Sequence, residues 1–408
     1  ASDVYKRQPY KFLKTQDTRK MRKNFWIFYS FLCCLVVVLI VMPIIDIYSI
    51  EENFLVSFED METANSNGTF GAYISGELEQ KEQSTGLEQT KKGEVVFKLF
   101  GFIPIRKVSV IMANDDDYYI GGVPIGLSIY TNGAIVIDDN GNDGIKEGDI
   151  ITQIDGIDFN EIEDMESVLK DNEEVEVTYL RKNKEVKTLL KVKNENKKHK
   201  LGLTVKDNVT GVGTLTFVNT RTGEYGALGH AIMEEAGGNI VPVSDGKVYA
   251  CNLIGITKGE KNNPGQLRCV FVQNSKTKGT IETNNKFGIK GVMTNTSGLV
   301  DENLTAKIGG RFSVTPGKAT IVSDISGIKE EYEIEIIKAN YQKKANDKSL
   351  VFRVKDKRLL NLTGGIVQGM SGSPIMQNGK IVGAVTHVFL SDATKGYGVY
   401  TDWMTQDL

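Results

Sequence analysis

The sequence has few of the residues that most often bind metals or transfer protons. Among 408 residues there are four cysteines and three histidines, with no CxxC pair and no dense His/Cys cluster. A structural zinc site is therefore not expected, and no metal or cofactor is predicted. Any reaction that needs an imidazole must use His199, His230 or His387.

An excess of positive charge is also lacking. Lysine and arginine number 49 against 52 aspartates and glutamates, which gives a net charge of −3. Nucleic-acid binding driven by bulk charge is therefore not expected. The chain is longer than one ordinary domain, so two or three domains are predicted.

One uncharged apolar run stands out, at residues 25–45 (FWIFYSFLCCLVVVLIVMPII). At about 1.5 Å per residue it can span a hydrocarbon core of about 30 Å, which predicts a membrane anchor. The basic residues 1–24 before it, and Asp46, Glu51 and Glu52 after it, predict a cytoplasmic N-terminus and an extracytoplasmic remainder. An uncleaved or slowly cleaved signal sequence is the alternative.

The remainder of the chain is predicted to divide into three parts. Residues 46–100 are polar and weakly periodic, which is typical of a stalk or a loosely folded spacer. Residues 101–195 are predicted to form one small domain. Residues 201–408 consist of short β-like runs punctuated by glycine, which favours a barrel or a sandwich.

The small domain contains GIKEGDIITQIDG at 144–156, which resembles the core motif of PDZ domains. Its Ile150, Ile151 and Ile154 are predicted to enter a small core, and Asp155-Gly156 to form a hairpin turn. The elements predicted after it are a helix at 161–170 and strands at 175–180 and 186–192.

PDZ domains bind extended peptides by adding a strand at an open sheet edge. The resemblance places such a peptide beside Pro124, Ile125, Gly126 and Leu127. The alternative is that these four residues only build the fold.

The loop GMSGSP at 369–374 contains the candidate catalytic serines of the chain. It resembles the GxSGxP loop of chymotrypsin-like peptidases, in which backbone N–H groups bind the oxyanion that forms when serine attacks. Ser371 is the candidate nucleophile, and Ser373 is the next one. The candidate oxyanion donors are the N–H groups of Gly369 and Ser371. A β-hairpin with Asn378-Gly379 at its bend is predicted to follow.

Histidine scarcity narrows the choice of general base. His230 lies in YGALGHAI at 225–232, where small residues suit an imidazole at a packed turn with one edge open. His387, at the end of the strand after the serine loop, ranks behind it. His199, flanked by lysines, is predicted to be solvated. A structural histidine is the alternative for each.

Five segments together resemble the stage IV sporulation protein B serine peptidases: GVGTLTF at 211–217, YGALGHAI at 225–232, TGGIVQGMSGSPI at 363–375, GAVTHVF at 383–389 and GYG at 396–398. The resemblance implies a mainly β protein with a transmembrane helix, a PDZ-like domain and a trypsin-like double β-barrel peptidase domain. It implies His230 as base and Ser371 as nucleophile. Asp356 matches the position of the family's acidic partner, which the residues alone would not single out from the other aspartates between base and nucleophile.

The same resemblance implies an activity and partners. The expected enzyme cleaves itself in its N-terminal segment and cuts a membrane-bound regulator of an intramembrane metalloprotease in the forespore intermembrane space. This cut activates late sigma-factor processing, and the PDZ-like domain gates it by holding a tail. The alternatives are a membrane-anchored PDZ scaffold with a non-catalytic peptidase domain, and a general extracytoplasmic quality-control protease.

Two cysteines, Cys251 and Cys269, lie in the body of the chain. In an extracytoplasmic domain they form either a disulfide or two buried free thiols. The sequence leaves both open, because it does not give the distance between their Cα atoms.

Overall fold

A computed structural model describes the following residues of the chain: 13–48, 54–56, 74–80, 92–99, 103–112, 116–142, 144–158, 168–170, 172–195, 198–234, 236, 238–271, 275–339 and 345–405. The chain divides into two compact units. One comprises residues 1–54 and 61–111, and the other comprises residues 55–60 and 112–408.

The first unit begins with a long helical segment. Its parts are α1 (Leu13–Val36), a π-helical turn (Val37–Val41) and α2 (Met42–Tyr48). The stretch Met21–Val41 is long and apolar enough to cross a membrane, and the protein buries none of it. One N-terminal apolar helix of this kind is compatible with the predicted single-pass anchor.

Three strands of the predicted spacer and one strand from the residues predicted to begin the small domain form a four-stranded sheet. Its strands are β1 (Phe54–Val56), β2 (Ile74–Gln80), β3 (Lys92–Leu99) and β4 (Ile103–Met112), in the order β1-β4-β3-β2. Val95, Val108 and Val110 are buried, so this sheet has an apolar face of its own. The prediction of a loosely folded spacer is therefore wrong for these strands, because they pair into a sheet and their valines share one buried face.

The second unit contains three hydrophobic cores, and the first belongs to a closed barrel. Its strands, with those inserted between them, are β5 (Tyr118–Ile120), β6 (Pro124–Asp138), β7 (Ile150–Ile154), β8 (Ile157–Asp158), β9 (Glu174–Arg181), β10 (Lys184–Lys191), β11 (Lys193–Glu195), β12 (Lys198–Lys200), β13 (Thr204–Asn219), β14 (Glu224–Ala227), β15 (Asp245–Ala250), β16 (Asn252–Thr257), β17 (Gln266–Val270), β18 (Gly279–Thr280), β19 (Thr283–Asn285) and β20 (Gly288–Val292). The ring runs β6-β13-β14-β20-β18-β15 and returns to β6.

An inserted module grows out of this barrel. Strands β6 and β13 continue beyond the ring, and β7, β9 and β10 extend their sheet in the order β13-β6-β7-β9-β10. As predicted, Ile151 and Ile154 lie in the module's core, whereas Ile150 is buried in the first barrel's core. Asp155-Gly156 turns the chain with positive φ at both residues, also as predicted. The predicted helix at 161–170 falls mostly outside the described residues.

This arrangement corrects the predicted boundary between residues 195 and 201. Residues 118–131, which precede the module in the chain, supply β5 and the first half of β6 to the barrel region. The module is therefore an insertion into the peptidase sheet and not a separate domain ahead of it. Physically, the two continuous strands β6 and β13 carry one hydrogen-bonded sheet from barrel to module.

The predicted peptide-binding edge is also wrong. Pro124, Ile125, Gly126 and Leu127 pair with β13 on one side and, from Ile125 onward, with β15 on the other. All four are buried. An edge that is already paired on both sides cannot receive an added strand.

A second closed barrel follows in the chain. Its elements are β21 (Thr305–Ile308), a 3₁₀ turn (Arg311–Ser313), β22 (Gly317–Ser323), β23 (Glu330–Ala339), β24 (Leu350–Val354), α3 (Lys357–Thr363), β25 (Pro374–Gln377), β26 (Lys380–Phe389), β27 (Asp392–Tyr400) and α4 (Thr401–Thr405). The ring runs β22-β23-β24-β27-β26-β25. The predicted hairpin is confirmed: Asn378 and Gly379, both at positive φ, join β25 to β26.

Candidate active site

Ser371 lies in the loop that connects α3 to β25. Two glycines shape the turn, since Gly369 has a φ of 96° and Gly372 a φ of 98°. These values suit glycine, and a Cβ at Gly369 would come within 2.9 Å of the Leu267 Cβ. A Cβ at Gly372 would collide with the Thr214 carbonyl oxygen. The loop therefore requires both glycines, as the motif suggests.

Strand β13 of the first barrel fixes this loop of the second. The Thr214 hydroxyl donates to the Gly369 carbonyl at 2.7 Å, and the Thr214 N–H donates to the Ser371 carbonyl at 2.9 Å. The Thr216 hydroxyl donates to the Gly372 carbonyl at 2.7 Å. The serine loop is thus held between the two barrels, a dependence that no local motif indicates.

Two backbone donors in the loop are free. The N–H groups of Gly369 and Ser371 have no hydrogen-bond acceptor among the residues that the structure describes, whereas those of Met370, Gly372 and Ser373 donate to carbonyls. Unpaired N–H groups on a serine and on the residue two before it are what an oxyanion needs. They are the two donors that the sequence singled out.

The two serines of the motif differ in access. Ser371 is half-buried, and its hydroxyl donates to the Thr386 carbonyl at 2.9 Å. Ser373 is completely buried, and its hydroxyl has no partner within the described part of the chain. Ser373 therefore cannot meet a substrate, which leaves Ser371 as the nucleophile candidate.

His230 follows β14 through a turn in which Leu228 and Gly229 both have positive φ. Its Nδ1 lies 2.9 Å from the carbonyl oxygen of Ala231. Because a carbonyl only accepts, Nδ1 carries the hydrogen and Nε2 is left with a lone pair. This is the tautomer that a general base requires.

A second imidazole lies beside the first. The rings of His387 and His230 have centroids 5.2 Å apart and planes tilted by 41°. His387 Nε2 lies 3.8 Å from an oxygen of Asp347. Burial, and next the neighbouring His230, lower the pKa of His387, which favours its neutral form. His199, by contrast, contacts Asn194 in the module hairpin.

The structure does not bring Asp356 to His230. Asp356 is the N-cap of α3, and its carboxylate accepts from the Arg358 N–H at 2.8 Å and from the Arg358 guanidinium at 2.8 Å. These bonds to Arg358 lower the pKa of Asp356 to about 2. Asp347 and Asp356 lie beyond opposite ends of β24, a strand of five residues that is roughly 16 Å long at about 3.3 Å per residue. Asp347 is the carboxylate beside the histidines.

Asn284 is a site residue that sequence reasoning missed. Its side chain accepts from the Ile232 N–H at 2.9 Å and donates to the carbonyls of Ile232 and Val241, each at 2.8 Å. These three bonds fix the segment that follows His230. Nothing in the local sequence marks this asparagine, because its partners are 43 and 52 residues away.

Two closed six-stranded barrels, with a glycine-bounded serine from one and a histidine turn from the other, define a double-barrel serine peptidase. The SpoIVB peptidase S55 family model matches residues 197–405, just over half of the chain. The chain belongs to this family, and it is a serine peptidase.

Solved structures give more distant likenesses. The PDZ domain of an SdrC-like protein from Listeria monocytogenes is 25% identical over 19% of this chain and 87% of that one, with a TM-score of 0.16. The active form of the Rv3671c protease from M. tuberculosis is 15% identical over 49% and 73%, with a TM-score of 0.28. The HtrA-type protease AlgW with a tripeptide is 12% identical over 48% and 54%, with a TM-score of 0.27. No curated protein matches the chain.

Proposed function

We propose that this chain is a sporulation endopeptidase that cleaves itself and a membrane-bound regulator, with Ser371 as nucleophile and His230 as general base. The observation that carries the proposal is the serine loop, with free N–H groups on Gly369 and Ser371, in a member of the SpoIVB peptidase family. The half-buried Ser371 hydroxyl and the acceptor Nε2 of His230 support the two roles.

The proposed reaction is acyl transfer. The Ser371 side chain rotates from the Thr386 carbonyl toward His230 Nε2, which takes its proton as the oxygen attacks the scissile carbonyl. The Gly369 and Ser371 N–H groups bind the oxyanion, and one such donor is worth about 3–4 kcal/mol in the barrier. His230 then protonates the leaving amine, and water hydrolyses the acyl-enzyme by the reverse proton path.

The groups around the imidazole suggest how its positive charge is stabilised. The Ala231 carbonyl accepts from Nδ1, a position that a carboxylate occupies in a Ser-His-Asp triad. His387 is held neutral beside it, with Asp347 behind. We therefore assign the electrostatic role to Asp347 and a structural role, capping α3, to Asp356.

The membrane arrangement follows the charge pattern. Basic residues precede the apolar helix and acidic residues follow it, so we place the N-terminus in the cytoplasm and the peptidase in the forespore intermembrane space. The substrates proposed there are the enzyme's own 46–100 segment and the regulator of an intramembrane metalloprotease needed for late sigma-factor processing.

The inserted module is proposed to gate the reaction by binding a peptide tail. Strands β6 and β13 run without a break from the module into the barrel, and β13 also carries Thr214, which holds the serine loop. We place the peptide at β10, which pairs only with β9 among the described residues. A displacement of β13 in the module can therefore be transmitted along that strand to the serine loop.

The test uses the full chain in detergent micelles, as wild type and as Ser371→Ala. Wild type is expected to release fragments that begin within residues 46–100 and to react with a fluorophosphonate at Ser371, while Ser371→Ala does neither. No labelling of wild type would favour the scaffold alternative. Rapid degradation of unfolded casein without cleavage of a membrane-bound partner would favour the quality-control alternative.

A further inference from the structure

Cys251 and Cys269 lie at the base of a hairpin that leaves the first barrel between β15 and β18. In the hairpin, Asn252 is opposite Val270 and Leu253 is opposite Cys269. Because side chains alternate along a strand, Cys251 and Cys269 share a face as diagonal neighbours. Both residues are half-buried, and each thiol affects the pKa of the other.

The thiol contact makes the two cysteines unequal. The neighbouring Cys251 thiol lowers the pKa of the Cys269 thiol, and Cys269 in turn raises the pKa of the Cys251 thiol. Two interacting thiols ionise in two steps that belong to the pair. We take Cys269 as the thiolate that attacks first.

The hairpin clamps the loop that carries Ser371. The Leu267 N–H donates to the Gln368 carbonyl at 2.8 Å, and the Gln368 N–H donates to the Gly265 carbonyl at 2.8 Å. Gln368 directly precedes Gly369, one of the two oxyanion donors.

The start of the serine loop is held by the same hairpin. At that point the Gly259 N–H donates to the Thr363 carbonyl at 2.8 Å. Leu267 is buried in the second barrel's core, and Cys269 packs against that core. The hairpin is thus rooted in the first barrel at β15 and docked on the second at the oxyanion loop.

We propose that Cys251 and Cys269 form a reversible disulfide that sets the position of the serine loop. The Cys269 thiolate attacks a low-molecular-weight disulfide and displaces one of its thiolates, which gives a mixed disulfide. The Cys251 thiolate then attacks the Cys269 sulfur and displaces the second thiolate. Two electrons pass to the small disulfide, and the two protein protons end on the thiols released. Formation of the Cys251–Cys269 disulfide links the two strands at the base of the hairpin and fixes the position of Gly369.

The redox test uses the full chain in detergent with Cys33 and Cys34 replaced by serine and with Ser371→Ala to prevent self-cleavage. After treatment with oxidised glutathione, acid quenching and alkylation, a cross-linked peptide containing both cysteines is expected and neither thiol is alkylated. After reduction with dithiothreitol both are alkylated. Persistent glutathionylation of one cysteine, or full alkylation after oxidation, would overturn the proposal. This assay needs no peptidase activity.

The effect on rate rests on the proposed function and is measured separately. In the chain with Ser371 intact, oxidation is expected to raise peptide hydrolysis by about fivefold over the reduced protein, the low end of coupling between two sites. The matched Cys251→Ser/Cys269→Ser variant should show the same rate in both buffers. A disulfide that forms without any change in rate would refute the coupling to the loop.

Discussion

The hydroxyl of Ser371 donates to the backbone carbonyl of Thr386 at 2.9 Å, one residue before His387. The hydroxyl hydrogen of Ser371 is therefore bonded to a peptide oxygen next to His387, one of the two paired histidines, and not to an imidazole nitrogen. The N–H groups of Gly369 and Ser371 in the same loop have no acceptor among the described residues. In the proposed mechanism the Ser371 hydroxyl leaves the Thr386 carbonyl before it attacks a substrate.

Replacing Ser371 by alanine is expected to reduce peptide hydrolysis to background with little change in the free energy of unfolding, because the half-buried side chain makes a single hydrogen bond, to the Thr386 carbonyl. Ser373→Ala is the control. It removes a buried hydroxyl that lacks a partner, so stability should stay the same or rise by up to about 1 kcal/mol, with activity kept. Rates and urea unfolding check both. Activity that survives in Ser371→Ala would contradict the assignment.

Asn284→Ala should weaken catalysis by releasing the segment after His230. The change leaves the Ile232 N–H and the Val241 carbonyl unpaired and removes one of the two bonds to the Ile232 carbonyl, which costs about 1–3 kcal/mol of stability. We expect kcat to fall more than KM rises, measured on a peptide substrate. Asn295→Ala, which removes a local bond to the Ser297 N–H, is the control. Equal kcat values in the two variants would argue against the positioning role.

Gly369→Ala is expected to lower kcat by about 10²–10³-fold, the loss that follows removal of one oxyanion donor. The new Cβ meets Leu267 at 2.9 Å and disfavours the φ of 96°, so the N–H turns away. Gly317→Ala is the matched control, since Gly317 has a φ of 134° and open space around it. If both variants lose activity alike, general backbone strain and not the oxyanion site explains the effect.

His387→Gln should reduce the slope with which the free energy of unfolding falls as the pH is lowered. Burial lowers the pKa of His387, so below its unfolded value of about 6.5 the unfolded chain binds more protons than the folded one. Its stabilising contribution is thus present above that pH and lost below it. The titratable groups that face it are His230, Asp347 and Lys348. The slope removed is at most about 1.4 kcal/mol per pH unit.

Urea unfolding from pH 7 to pH 5 measures that slope. His199→Gln is the control, because His199 contacts only an exposed asparagine side chain among its described partners. A wild-type slope in His387→Gln would show that this residue does not carry the pH dependence.

Asp356→Ala should destabilise the protein by up to about 2 kcal/mol through loss of the cap of α3 and of the bond to Arg358. With a folded pKa of about 2 against about 3.9 unfolded, this contribution is present above pH 4 and disappears as pH falls to 2. Asp356→Asn keeps the cap and should recover part of the loss. Unchanged stability with abolished hydrolysis would instead restore Asp356 to the triad.

Local patterns predicted much of this protein. The Asn378-Gly379 and Asp155-Gly156 turns formed as expected, because positive φ at such pairs is set within a few residues. The serine loop could likewise be predicted, because its glycines are required by the loop's own backbone conformation. The pairing of strands that are distant in the chain could not be predicted from the sequence. Nothing in Pro124–Leu127 shows that β13 and β15 cover both edges, nor that the module interrupts a barrel.

The sequence by itself determined which residues could do chemistry: three histidines and a glycine-bounded loop with two serines, beside one apolar run. The tertiary structure decided which of them meet. It set His387 beside His230 and Asp347 beside His387, kept Asp356 beyond the far end of β24, and packed a cysteine-bearing hairpin against the serine loop. The reason is physical: glycine turns and apolar runs are encoded locally, whereas contacts between barrels depend on strands paired across hundreds of residues.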